Sequence, residues 1–205
     1  MANFFKDNAD LMFTLNNLEL AEVAKLKEEG YKFAQEFDNA PADFADALDN
    51  YNRVLEVVGE ICGDRIEPRS RTVDAEGPHF ADGVVTYHPL TVQNLNDLKQ
   101  AGVMGVMLDH KFGGLNFPVS VYTMMTEMVS RADGSLQNIF GLQDIAETIN
   151  FFGSDEQKEK YLPGFASGEY DGSMDLTEPD FGSDLQSVRL RAWQDEKTGP
   201  GYLTG

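Results

Sequence analysis

Cysteine is all but absent: Cys62 stands alone, so no intrachain disulfide can form and a thiolate metal site would lack partners. A lone thiol of this kind on a helix face is expected in the core. Basic residues are scarce too, 16 Lys and Arg against 35 Asp and Glu, for a formal charge of −19. Such a surface repels phosphate backbones and anionic lipid, which argues against nucleic-acid binding. No apolar run approaches the ~18 residues of a membrane span. The opening residues carry acids where a secretory leader carries a basic region. A cytoplasmic location without membrane contact is therefore expected. His79, His88 and His110 are the only histidines and show no HExxH spacing, so loop histidines without a ligand role, and no metal, are expected. Neither a Walker loop nor a GxGxxG turn is present, which disfavours a Rossmann dinucleotide site.

Helical periodicity fills most of what is there. Leu18, Leu20, Val23, Leu26, Tyr31 and Phe33 among Glu and Lys predict one or two amphipathic helices, interrupted near Gly30, as a peripheral hairpin. Phe44, Leu48, Tyr51, Leu55, Val58 and Cys62 recur at helical spacing on one face, which must be buried. From Glu67 to Pro89, the turn formers Pro68, Gly77-Pro78, Asp82-Gly83 and His88-Pro89 predict no long helix, only a short strand at Val84 to Tyr87. Thr91 is the predicted cap of a helix carrying Val92, Leu95, Leu98 and Val103, and Gly105, Gly113, Gly114 and Pro118 make the loop after it. Helices follow near Val119 to Ser130 and Ser135 to Phe152, with Met124, Met125 and Met128 as core filling. Ser154 to Gln157 forms a capping box for a helix predicted to end at Pro163. Beyond Gly164, Ser173 to Thr177 reads as a strand, and Ser187 to Trp193 alternates as a half-buried strand does. The turn-rich Lys197 to Pro200 precedes a strand just begun at the last residues, so the sequence is expected to be a piece of a longer protein.

Between those two strands, Met174 to Asp184 combines backbone amides with the hydroxyls of Thr177 and Ser183, a donor set suited to polar or anionic ligand atoms. An ordinary turn, rich in Pro, Asp, Gly and Ser for local reasons, is the competing reading. Leu176-Thr177-Glu178, followed by Gly182-Ser183-Asp184, resembles the signature of the acyl-CoA dehydrogenase family. Phe152 to Lys158, Tyr161-Leu162-Pro163 and Ser167-Gly168-Glu169 resemble that family's run-up to the signature. Ala101-Gly102-Val103 and Gly113-Gly114 are similar to its loop between early helices, and Tyr202 to Gly205 to its next strand. The resemblance runs from residue 48 to the end and is nearest to the branch containing 3-(methylthio)propanoyl-CoA dehydrogenase, on Met174 to Pro179, Leu190-Arg191-Ala192 and the segment from Phe80 to Pro89. Phe181 and Asp175 depart from the pattern, where small residues, or Asn at the second, are usual.

The resemblance implies an α+β fold: an acyl-CoA dehydrogenase-like all-α amino-terminal domain over 42–169, a helical extension over 1–41 before it, and the first strands of a truncated β-barrel domain over 170–205. It implies FAD as cofactor, an acyl-CoA thioester as substrate, and α,β-desaturation by α-proton abstraction with hydride transfer to the flavin. Electron-transfer flavoprotein or another acceptor, and a homo-oligomeric state, are the implied partners. Carried over residue by residue, Met174, Leu176, Thr177, Gly182 and Ser183 border the cofactor, Ser183 also contacts substrate, and Glu178 and Asp184 anchor the turn. The catalytic glutamate belongs to the family's carboxy-terminal helical domain, so no catalytic residue is expected in this chain, which alone is expected to be inactive. An acyl-CoA oxidase of the same fold is one rival. A non-catalytic acidic helical module that binds a basic partner is another. Arg189 and Arg191 are either a solvated strand edge or contacts for a CoA or FAD phosphate.

Overall fold

The computed structural model describes residues 2–194 and 201–204, so the predicted turn at 197–200 and Gly205 lie outside the described residues. The chain divides into two compact units, Met1–Gly172 and Ser173–Gly205.

In the first unit, α1 (Ala9–Asn17) starts where the Asn8 side chain accepts from the Asp10 and Leu11 amides, and α2 (Leu20–Lys27) follows after a short turn. The stretch 17–37, expected as a peripheral hairpin, puts Leu20 and Ala24 into the same core as the rest of the unit, together with Phe5, Leu11 and Leu15 from the residues before it. α3 (Phe44–Ile61) buries the predicted face, with Tyr51, Leu55, Val58 and the following Cys62 inside and Phe44 and Leu48 packed at its margin. Burial pushes the Cys62 thiol up to about 12.

The absence of a helix after Glu67 is corrected: α4 (Glu67–Glu76) continues from α3 through a π turn at Cys62–Ile66. Pro68 fits because it sits in the first turn of α4, where its missing amide costs little. Its register also restarts there, since the Glu67 amide bonds back to the Cys62 carbonyl. A small hairpin pairs β1 (His79–Ala81) with β2 (Val84–Thr86) across Asp82-Gly83, both at positive φ, the backbone a two-residue hairpin turn demands. α5 (Pro89–Gln100) is capped by His88 and not by the predicted Thr91: the His88 ring accepts from the Leu90 amide at 3.1 Å, while Thr91 is buried within the first turn. Glycine is required in the loop that follows, because a Cβ on Gly114 would overlap the Leu108 carbonyl.

α6 (Val119–Ala132) buries Met124, Met125 and Met128 as expected. The predicted single helix over 135–152 is instead two, α7 (Gly134–Gly141) and α8 (Ile145–Phe152), separated by a 3₁₀ turn at Leu142–Asp144. Side chains claim the carbonyls at the break: Tyr122 donates to Gly141 at 2.9 Å and Gln143 to Phe140 at 2.9 Å. α9 (Asp155–Ser167) begins with the predicted capping box but runs through Pro163 to Gly168, which caps it in the left-handed region. Burial of Leu162 and Phe165, in a second small core with Leu108, Phe112 and Ala146, offsets the cost of the proline.

The second unit corrects two strands. Ser173 to Thr177 is extended but pairs with nothing among the described residues, and the predicted strand over 187–193 begins only at Arg191. There β3 (Arg191–Gln194) pairs antiparallel with β4 (Gly201–Thr204), in the register Arg191 opposite Thr204. Val188, Leu190 and Trp193 are exposed instead of alternating, since among the described residues of this unit no second layer covers either face.

Candidate functional site

Ser173 to Thr177 leads into a tight turn closed at both ends. The Glu178 amide donates to the Phe181 carbonyl at 2.7 Å, and the Phe181 amide returns to the Glu178 carbonyl at 3.3 Å. Pro179 suits the second position of such a turn because its φ is already fixed. The Glu178 carboxylate then reaches across the chain, accepting from the Arg189 amide at 2.8 Å and the Leu190 amide at 2.6 Å. Amide bonds to a carboxylate are charge-assisted and among the stronger ones, so Glu178 anchors the turn to the backbone that enters β3. Asp184 plays a local part, accepting from the Ser187 hydroxyl at 2.5 Å.

The turn brings Thr177 and Gly182 together. A Cβ on Gly182 would stand 3.1 Å from the Thr177 methyl and 3.3 Å from its hydroxyl. Met174 and Leu176 lie upstream on the extended segment with half their surface in solvent, and Ser183 is exposed downstream. Among the described residues, the amides of Met174, Leu176, Thr177, Gly182 and Ser183 make no hydrogen bond. Unpaired donors on an exposed, extended backbone can accept a ligand's polar edge or a further strand. Phe181, the departure from the family pattern, folds its ring under the Arg189 guanidinium, 5.0 Å from the ring centre.

The helical unit that precedes this turn in the sequence settles the family. The sequence profile of the acyl-CoA dehydrogenase N-terminal domain matches residues 49–169. The chain belongs to the acyl-CoA dehydrogenase family. Against 3-methylmercaptopropionyl-CoA dehydrogenase of Ruegeria pomeroyi it is 34% identical over 150 residues, 71% of this chain and 25% of that protein. The crystal structure of glutaryl-CoA dehydrogenase from Mycobacterium smegmatis superposes with a TM-score of 0.60 at 26% identity, over 71% of this chain and 35% of the other. An acyl-CoA dehydrogenase from Bacillus anthracis, solved complexed with FAD, shares the fold with a TM-score of 0.62 at 23% identity, over 76% of this chain and 25% of the other. The chain spans between 22% and 43% of the length of the curated acyl-CoA dehydrogenases it matches. The turn at Glu178 lies just beyond the matched stretch.

Two further features lie in the first unit. His110 Nε2 sits 3.0 Å from Glu28 Oε2, and the Asn116 amide donates to Glu28 Oε1 at 3.1 Å and to the Lys27 carbonyl at 2.8 Å. The His110 and Glu28 side chains are 1% and 3% exposed, with Phe37 stacked on the imidazole and Phe33 edge-on to it. Nothing in the sequence signals a pair so far apart along the chain. An apolar groove of about 630 Å³ is lined by Val23, Met107, Phe117, Val119 and Phe151, with Asp144 and Glu147 on its wall. Burial raises both carboxyl pKa values, and Lys27 partly offsets the rise at Glu147. Among the described residues no group of three or more His, Cys, Asp or Glu could hold a metal ion, and no helix is long and apolar enough to cross a membrane.

Proposed function

We propose that this chain is the amino-terminal part of an enzyme that binds FAD and desaturates an acyl-CoA thioester between its α and β carbons, passing electrons to electron-transfer flavoprotein or another acceptor. Residues 42–169 are read as its helical domain, 1–41 as an extension, and 170–205 as the start of its β domain. The observation that carries this reading is the unpaired donor edge at Met174, Leu176 and Thr177, beside a glycine that leaves the approach to Thr177 open. These residues fit a flat ligand with polar atoms on one side: amides and one hydroxyl present themselves without a mobile counter-charge, and a bare backbone at Gly182 admits close contact.

FAD, when bound, supplies the hydride acceptor. The residues of this chain orient and hold: Thr177 and the neighbouring amides donate to the cofactor's polar edge, while Gly182 and Ser183 fix the turn against cofactor and thioester. Removal of an α-proton demands donors at the thioester oxygen, where negative charge gathers, and placement within near-attack distance. No carboxylate of residues 1–205 is assigned the role of base, and Glu178 is already engaged by two backbone amides. Thr177→Val, made in the protein at its full natural length, is expected to lose a hydrogen bond of about 0.5–1.5 kcal/mol. Lower flavin content or slower flavin reduction is the expected result; wild-type values for both would overturn the assignment of Thr177.

A further inference from the structure

Arg189 is held at the turn by its backbone and by its side chain. Its backbone amide is bound by the Glu178 carboxylate, so the residue is tied to the turn. Its guanidinium lies over the Phe181 ring at 5.0 Å. A ring face attracts a cation and limits where it can go, and Phe181 is itself fixed by both of its turn hydrogen bonds to Glu178. Among the described residues no carboxylate pairs with Arg189. The same turn thus carries a cation seated over a ring and in no direct ion pair among the described residues, the unpaired amides of Thr177, Gly182 and Ser183, and the hydroxyls of Thr177 and Ser183, while the Glu178 carboxylate is taken up by two backbone amides. Arg191 follows two residues on, within β3 opposite Thr204, and among the described residues no ring lies beneath it.

We propose that Arg189, seated on Phe181, contacts a phosphate of the adenine-nucleotide portion of a ligand at this turn, and so helps to set its affinity. The planar guanidinium fork matches phosphate oxygens two at a time, and backbone amides supply further donors. In a chain with a formal charge of −19, such a local cation also offsets the repulsion an incoming phosphate meets. The bulky Phe181, which departs from the family pattern, acquires a purpose as the platform. This proposal rests on the FAD and acyl-CoA reading, and both ligands carry the same chemistry, a phosphorylated adenosine.

The test titrates the protein at its full natural length with CoA, and its apoprotein separately with FAD, for wild type, R189Q, R189K, R191Q and F181A. R189Q is expected to weaken one of the two ligands at least about tenfold, as loss of a charged hydrogen bond does. Which ligand weakens identifies whose phosphate is held. R189K, keeping the charge without the fork, should fall between wild type and R189Q, F181A should weaken the same ligand about threefold, and R191Q should bind as wild type does. Unchanged affinity of R189Q for both ligands overturns the role of Arg189 alone. Equal losses in R189Q and R191Q overturn it as well, because they point to bulk charge. A wild-type protein that binds neither FAD nor CoA removes the functional reading together with this one.

Discussion

At Gly182 the neighbouring threonine decides what a substitution does. The backbone conformation there is open to any residue, so the consequence of Gly182→Ala is steric: the new methyl would press on Thr177 at 3.1 Å, and Thr177 must give by a few tenths of an ångström. Because the turn is exposed, global stability is expected to stay within about 0.5 kcal/mol of wild type, while flavin content of the full-length protein falls. Spectroscopic flavin content alongside a thermal melt separates the two; a full complement of flavin in Gly182→Ala would remove Thr177 and Gly182 from the cofactor edge. Single residues were read from sequence where chemistry is local. Ser154 and Gln157 form the predicted capping box, each accepting from the other's amide. Thr91 was misread because the cap depends on where the first turn begins, and Pro89 moves that start to put His88 in the capping place. Glu178 was legible as an anchor, but its partners, the amides of Arg189 and Leu190, required the folded backbone.

Among elements, the end of α2 is held to the loop between α5 and α6 by the buried contact of Glu28 with His110 and Asn116. Removing His110 leaves the buried Glu28 carboxylate with the Asn116 amide alone. His110→Ala is therefore expected to cost about 3 kcal/mol, measured by urea denaturation, and to loosen α1 and α2 first in hydrogen exchange. A loss under 0.5 kcal/mol, with unchanged exchange in α2, would contradict this view of how the amino-terminal helices are attached. At this scale, too, two helices depart from what their prolines predict. Pro68 and Pro163 look like breakers in isolation, yet a π turn resets the register before the first, and buried Leu162 and Phe165 carry the helix past the second. Beyond Gly164 the strand at the last residues forms, but that over 187–193 starts only at Arg191 and its side chains stay exposed, because alternation in sequence becomes a half-buried strand only where a second layer exists to bury one face.

For the whole molecule, buried proton-bearing groups set the alkaline limit. Burial pushes the Cys62 thiol up to about 12 and raises the Tyr51 and Tyr122 hydroxyls well above the ordinary tyrosine range. Above about pH 8.5–10 the unfolded chain releases these protons while the folded chain keeps them. The folded state then binds more protons, so stability is full below that range and declines as pH rises through it. Urea midpoints at pH 8 and pH 10.5 should show the decline, and Cys62→Ser with Tyr122→Phe should reduce its slope; equal midpoints would contradict it. Family membership was legible from the spacing of several short motifs, and the helical unit that carries it matches the family profile over 49–169. The measurement that bears most directly on the function is the visible spectrum of the protein purified at its full natural length, before and after anaerobic addition of acyl-CoA thioesters. A bound flavin whose oxidised band bleaches with a thioester is the predicted result. A colourless protein, or a flavin band that no acyl-CoA bleaches, would contradict the account.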